Sequence, residues 1–321
     1  MNRLKIWFFS WVFFSGLCIA AEPVQIRLGV LASGTLAWEL AALQNEGLLK
    51  DVEFRVETLP LTDQQAGKIA LQAGNVDMIV SDWIWVSGMR AAGQDFTFYP
   101  YSASSGGLLV PANSPIKTLA DLQGKKLGIA GGELDKNWAL LQALGQQQQL
   151  DLNQSVEKVF GAPPLLSQQL SSQRIDALLT YWQFAARLQA QGYRQILSGE
   201  EMIRQLGVTE TLPSLGYVFK QSWASQHPAA LQRFFAATQA AKDRLCDSDQ
   251  AWQNIVKLTD AGDTATQKQL RVHYCQGRVK QTDNRFQQAA EKIYQHLHQL
   301  KDHKLTADHP QLQAGTFWSV Y

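Results

Sequence analysis

Cysteine is scarce: the 321 residues hold three, Cys18, Cys246 and Cys275, and no Cys-x-x-Cys pair. That excludes thiol-redox chemistry and zinc ribbons, which need cysteines paired at short spacing. Nucleotide loops are missing too. Gly131-Gly132 belongs to no Gly-x-Gly-x-x-Gly pattern, and no Gly-Lys-Ser/Thr follows it. No Gly-x-Ser-x-Gly elbow supplies a serine nucleophile. Metal-ligand spacing is absent as well. His296, His298 and His303 are the nearest to a cluster, but neighbours two apart do not share a helix face, and no acidic partner completes a set. No cofactor and no metal is expected.

Charge of one sign is also lacking. Apart from Arg3 and Lys5, 27 basic residues stand against 28 acidic ones, a net charge of −1 with no polybasic block. Nucleic acid and anionic membrane are therefore poor partners. Beyond the N-terminus no run is long and apolar enough to span a bilayer. The N-terminus itself has Arg3 and Lys5, an apolar run from Ile6 to Ile19, then Ala20-Ala21. That order is a secretory signal over residues 1–21. Leu17 before Cys18 is too large for a lipoprotein cleavage site, so cleavage is expected after Ala20 or Ala21. An exported chain meets an oxidising compartment, which permits a Cys246–Cys275 disulfide between two helices. Two buried thiols are the alternative, and the disulfide is the reading taken.

What is present is a globular composition, 45% hydrophobic and 18% charged, and a repeat. Leu71-Gln-Ala-Gly-Asn-Val-Asp77-Met-Ile-Val-Ser81-Asp82-Trp83 aligns without a gap, 99 positions on, with Leu170-Ser-Ser-Gln-Arg-Ile-Asp176-Ala-Leu-Leu-Thr180-Tyr181-Trp182. Leu28-Gly-Val30 meets Leu127-Gly-Ile129 at the same offset, and Gly93 meets Gly192. Each copy is a helix end, a tight turn, a short buried strand and a polar-aromatic tip. In open α/β sheets ligands bind at the C-terminal ends of the strands. Two similar α/β units thus present two tips, Asp82-Trp83 and Tyr181-Trp182, expected to face each other.

In chain order, strands are expected at 24–31, 54–59, 78–80, 96–101, 108–110, 126–130, 156–160, 194–197 and 213–219, most of them separated by helices. From Pro228 the pattern is helical to the end, with Phe234, Phe235, Trp252, Ile255, Leu270, Phe286 and Ile293 as buried stripes. Ser33-Gly-Thr35 after the first strand forms half a cradle: Ser33 or Thr35 can cap the next helix, which carries Trp38. Small polar residues at 101–107 suit a crossing between lobes and leave room for a ligand, with Ser104 and Ser105 offering hydroxyls. Gly131 and Gly132 allow close backbone approach at a helix N-terminus. Asp135 in that first turn either contacts ligand or stabilises its own helix.

Assembled, these residues resemble a known family, the periplasmic solute-binding proteins of ABC importers, in the nitrate/sulfonate/taurine-type branch with the type II periplasmic-binding fold. The carriers are Ser33-Gly-Thr35, Leu71-x-x-Gly74-x-x-Asp77 leading to Asp82, and the Asp176 to Trp182 repeat. The most specific carrier is the run Leu109-Val-Pro111-x-x-Ser114-Pro-Ile-Lys117-Thr-Leu-Ala-Asp121-Leu-x-Gly124. The resemblance implies an α/β protein of two lobes, each a mostly parallel sheet flanked by helices, with a helical C-terminal region. Residues 22–105 and 213–321 form lobe one and 106–212 lobe two. The resemblance further implies a monomer that closes by a hinge on a small organic solute in the inter-lobe cleft. It then delivers that solute to a membrane permease and its ATPase, touching the membrane only through the permease. A periplasmic location and no catalysis follow. A ligand-sensing subunit for a membrane receptor is the alternative. A pyrimidine-synthesising enzyme shares the fold, but the cysteine-rich motif usual in that branch is missing.

The expected cleft residues are Ser33, Thr35, Trp38, Asp82, Trp83, Ser104, Ser105, Gly131, Gly132, Asp135, Tyr181 and Trp182. Aromatic walls with a carboxylate, and no arginine at either tip, suit a flat or aliphatic organic molecule bearing donors, such as an amine. Helix N-termini can also hold a sulfonate.

Overall fold

The computed structural model describes residues 22–31, 34–50, 52, 54–279, 285–300, 305–306 and 309–318. The leader, Ser33 and His303 lie outside them. The first unit runs β1 (Val24–Leu31), α1 (Leu36–Asn45), β2 (Phe54–Leu61), α2 (Gln64–Gln72), β3 (Met78–Ser81), α3 (Trp83–Ala91) and β4 (Phe96–Ser102). The second runs β5 (Gly107–Val110), β6 (Lys126–Ala130), α4 (Lys136–Gln147), α5 (Leu152–Ser155), β7 (Glu157–Gly161), α6 (Pro163–Ser171), β8 (Ala177–Thr180), α7 (Trp182–Ala190), β9 (Arg194–Ser198) and α8 (Gly199–Gln205). β10 (Leu215–Lys220) follows, then α9 (Gln221–Gln226), α10 (Pro228–Asp247), α11 (Asp249–Ile255), α12 (Thr264–Gln276) and α13 (Arg285–His298).

Two five-stranded sheets result, ordered β2-β1-β3-β10-β4 and β7-β6-β8-β5-β9. In the first, β1 pairs in parallel with β2 and β3, while β10 returns antiparallel between β3 and β4. The second repeats this plan, with β5 antiparallel between β8 and β9. Each sheet therefore has one reversed strand, the one that carries the chain from the other sheet. This is the expected two-lobed α/β architecture.

The 99-residue offset is physical. It carries the bounds of α2 onto α6, β3 onto β8 and α3 onto α7. Asp77 accepts a 2.9 Å bond from the Arg27 N–H, and its own N–H returns 2.8 Å to the Arg27 carbonyl. Asp176 does the same with Lys126, at 2.8 and 2.9 Å. Each aspartate thus clamps the start of its central strand to the neighbouring one. Position 74 has φ +74° as glycine, and its counterpart Gln173 adopts φ +57° at the cost of a side chain in the left-handed region.

Local chemistry explains most boundaries. Asp63 caps α2 by accepting from the Ala66 N–H at 2.8 Å. Asp121 gathers the Lys117 and Thr118 N–H groups at 2.9 Å, and Arg194 binds the carbonyls of Ala112, Ser114 and Ile116. The Ser-Pro-Ile run is therefore a stapled loop of the second unit. Helix does not continue to the end. Beyond α13, Phe98 and Phe317 form a β-bridge, with Phe98 N–H donating to Thr316 and Trp318 N–H to Phe98. This segment covers the exposed edge of β4.

The C-terminal helices pack across both units. Cys246 of α10 and Cys275 of α12 form a disulfide with Cα atoms 5.6 Å apart. The other face of α12 meets α7 of the second unit, where Arg187 donates to the carbonyls of Thr259 and Asp260. Beneath the crossing strands lies a buried polar knot that the sequence did not announce. Glu39 of α1, wholly buried, accepts from Tyr101 at 2.7 Å and Tyr274 at 3.0 Å, and sits 3.3 Å from the Lys242 ammonium. Burial pushes the Glu39 carboxyl up and the Lys242 ammonium down, each opposed by the other's charge.

Candidate functional site

The C-terminal ends of β3, β6 and β8 bring their following loops together between the two sheets. Asp82 caps α3, accepting from the Trp85 N–H at 2.8 Å, and lies 3.6 Å from the Lys68 ammonium. Asp135 caps α4, one oxygen accepting from Asn137 and Trp138 N–H at 2.9 and 3.2 Å. Lys136, the first residue of α4, reaches out of the second unit and donates 2.6 Å to the Ser214 carbonyl at the entrance to β10. Its charge acts on both Asp82 and Asp135. The two tips thus meet through one lysine.

The electrostatics follow from this packing. Burial pushes the Asp82 carboxyl up, but Lys68, Lys136 and the Trp85 N–H outweigh it, and the group ends below its ordinary value. Asp135 goes the other way: burial raises it to about 6 against the pull of Lys136. Burial lowers Lys136, opposed by both carboxylates. Burial, then the Asp135 charge, raises Tyr181. Four charges of balanced sign therefore line the space between the tips, alongside one neutral phenol.

Gly131 and Gly132 both have positive φ, +85° and +82°. A Cβ on Gly131 would stand 2.6 Å from the Tyr181 hydroxyl and 2.9 Å from Asp135 Oδ2, so glycine is required for these groups to gather there. Tyr181 stands at the N-cap of α7, to which its side chain gives no capping bond.

The tryptophans do not form walls. Trp38 is 4% exposed, donates to the Leu258 carbonyl at 3.1 Å, and packs against Trp182, Trp252 and Tyr274. Trp83 is buried and donates 3.1 Å to the Pro213 carbonyl, beside Phe317. Trp182, also buried, crosses to the Trp38 cluster of the first unit. Each begins a helix or lies in its first turn, where the apolar face turns to the core. Thr35 sits at the N-cap of α1 but makes no capping bond there. The Ser104 hydroxyl donates to the His273 carbonyl at 3.2 Å, tying the crossing to α12, and Ser105 Oγ fills the space over Gly199. Asp82, Gly131, Asp135 and Tyr181 are the expected residues that the structure brings together.

Sequence reasoning passed over Lys68 and Lys136. It also passed over Ser81 and Thr180, matched residues at the last position of β3 and β8. Both are buried with hydroxyls that have no hydrogen-bond partner among the described residues. The repeat was the available signal, since it places both hydroxyls beside the tips. Two cavities of about 550 and 570 Å³ lie elsewhere, one lined by Trp138, Gln142 and Leu297, the other by Thr97, Gln288 and Trp318. Asp82, Asp135 and Tyr181 line neither. Among the described residues no group of His, Cys, Asp or Glu could hold a metal ion.

Two mixed sheets joined by exchanged strands, with charged tips between them, define a two-lobed periplasmic-binding-protein fold. The NMT1/THI5 like family model matches residues 40–251, and the chain belongs to that family. The alkanesulfonate-binding protein SsuA from Xanthomonas axonopodis pv. citri, bound to MOPS, shares the fold with a TM-score of 0.71 at 19% identity, over 93% of this chain and 99% of that one. The periplasmic aliphatic sulphonate binding protein SsuA from Escherichia coli gives 0.72 at 19% identity, over 92% of each chain. The desulfurization enzyme DSZB gives 0.54 at 20% identity, over 86% and 92%. A comparison with curated protein sequences finds no match.

Proposed function

We propose that this protein is the extracytoplasmic solute-binding component of an ABC importer. It captures a small organic solute between lobes formed by residues 22–105 with 213–321 and by 106–212, and delivers it to a membrane permease and its ATPase. The leader directs it to the periplasm, where it acts as a monomer. The observation that carries this reading is Lys136, which spans from one unit to the Ser214 carbonyl at the other while facing both tip aspartates. Such a contact is made or broken when two lobes rotate about crossing strands. The fold neighbours named for sulfonate binding support a small organic solute as ligand.

An enzyme reading has the fold neighbour DSZB behind it. Among the described residues both cysteines are bonded to each other, which leaves no thiol nucleophile there. The test is a thermal-shift screen across amines, aromatic acids, sulfonates and pyrimidines, followed by small-angle scattering with each hit. A hit raises the melting temperature by mass action and shrinks the radius of gyration, and is recovered chemically unchanged. A hit recovered as product, or a panel with neither shift nor compaction, overturns the proposal.

A further inference from the structure

The first crossing between the sheets, residues 103–106, is fastened at both ends. At the second unit, the Gly199 N–H donates 2.7 Å to the Gly106 carbonyl, and a Cβ on Gly106 would stand 1.9 Å from the Thr180 carbonyl oxygen. At the first unit the fastening is the C-terminal end of α12. The Ala103 N–H donates 2.9 Å to the Gly277 carbonyl, and Ser102 forms a β-bridge with Arg278. The Ser104 hydroxyl donates 3.2 Å to the His273 carbonyl. A Cβ on Gly277 would stand 1.7 Å from Ser104 Oγ, so this contact requires glycine. Only Ser105 lies between the two fastenings. A hinge is a few loop residues that absorb a change in φ and ψ, and here that stretch is a single residue.

A second observation adjoins the first. Cys275 lies between His273 and Gly277, the two residues that hold the crossing, and its disulfide runs to Cys246 near the end of α10. The bridge is thus the covalent stop that keeps this end of α12 in place. Arg271 supports it by donating to the carbonyls of Leu245 and Cys246 at 3.1 and 2.9 Å, and Arg278 by donating to Asp243 at 3.0 Å. These bonds do not depend on the bridge, so opening it loosens the helix end without detaching α12. Another face of α12 packs on α7 of the second unit, so one helix touches both lobes and the joint between them. Both cysteines are half-buried, which leaves the bridge within reach of a small thiol.

We propose that the Cys246–Cys275 bridge is a redox-controlled clamp on the hinge. Its reduction by a dithiol releases the first-unit end of the crossing, lengthens the free stretch from Ser105 to residues 103–105, and lets the lobes open wider. In the exchange a thiolate of the dithiol attacks one sulfur of the bridge, and the other sulfur leaves as a thiolate. The second thiol of the reductant then displaces the mixed disulfide. Two electrons and two protons pass to the cysteine pair, and the dithiol becomes a disulfide. This inference rests on the two-lobed hinge of the solute-binding reading and adds a control on it.

Amide hydrogen exchange and small-angle scattering of the exported protein, before and after dithiothreitol and without any solute, test it. On reduction the Ala103 amide is expected to exchange about tenfold faster relative to the amides of β1, the scale of one lost hydrogen bond, and the radius of gyration to rise. Gly277→Ala is expected to give both changes in the oxidised protein, with little further change on reduction. If that variant does not fold, the paired substitution Cys246→Ser with Cys275→Ser takes its place and should match the reduced protein. Asp176→Ala lowers stability at a strand start in the second unit and is expected to leave the Ala103 amide and the radius unchanged relative to the parent. An Ala103 amide or a radius unmoved by reduction overturns the proposal. So does the same rise in Asp176→Ala, which would make the effect one of global stability, and so does a bridge that dithiothreitol fails to open in the folded protein. Each of these outcomes leaves the solute-binding reading intact, because the solute screen decides that reading separately.

Discussion

Lys136 Nζ donates a 2.6 Å hydrogen bond to the Ser214 carbonyl, joining the first turn of a helix on one sheet to the strand that enters the other. Nothing in the local sequence of either residue signals the other, 78 positions away. Yet this bond sets the electrostatics between the tips, because it holds a cation where two carboxylates meet.

Lys136→Met should therefore loosen the approach of the lobes. With the ammonium gone, Asp82 retains Lys68, but Asp135 loses its nearest cation. The expected outcome is a larger radius of gyration without ligand and an affinity for a screened solute reduced about tenfold, the scale of one charge-assisted bond. Unchanged scattering and affinity would mean the lysine contributes nothing to lobe closure.

Asp135 makes stability depend on pH in a defined direction. Its folded pKa, about 6, is raised above the ordinary 3.8. Below the lower value it is neutral in both states and costs nothing. Between the two, the unfolded chain ionises first, so stability falls as pH rises and the loss is complete above about 6. The loss is on the order of 3 kcal/mol at most. The charged groups facing it are Lys136 and, across the cleft, Asp82, with Tyr181 neutral throughout. Asp135→Asn should gain on the parent protein between pH 4 and pH 7 in urea denaturation. A difference flat with pH contradicts the assignment.

The paired strand clamps should be unequal. Asp176→Ala removes one carboxylate bond to the Lys126 N–H, costing about 1–3 kcal/mol. Asp77→Ala removes the equivalent bond and also a two-point contact with the Arg27 guanidinium, at 2.6 and 3.1 Å. It should cost more. Chemical denaturation of both variants decides, and a larger loss at Asp176 would refute the argument.

Reduction of Cys246–Cys275 opens a link between residues 29 apart. The chain-entropy estimate for such a loop is about 3–4 kcal/mol. Because α12 also packs on α7, reduction should raise amide exchange in both helices before it affects β1 and β6. Uniform exchange, or two alkylatable thiols in the native exported protein, would contradict the bridge.

Much of this architecture was legible in the chain. The first strand's bounds, Val24 to Leu31, and those of β6 agree with the hydrophobic pattern, since both are short apolar runs ended by turn residues. The repeat located β3 and β8 and their following helices because equal spacing builds equal βαβ geometry. Asp82, Asp135 and Tyr181 were legible as tip residues because strand ends and helix caps are local features. The tryptophans were misjudged as walls because a residue opening a helix can turn either way. Only the partner surface, here Leu258, Pro213 and the Trp38 cluster, settles the direction.

The sequence by itself determined the elements, their repetition and which side chains stand at strand ends, because those follow from periodicity and capping over a few residues. Tertiary structure alone decided that Lys68 and Lys136 flank Asp82, that Glu39 is buried against Lys242 and two tyrosines, and that three tryptophans belong to the core. Charge pairing and burial act through space, at a few ångströms, between residues separated by tens to hundreds of positions, and no local pattern encodes that distance.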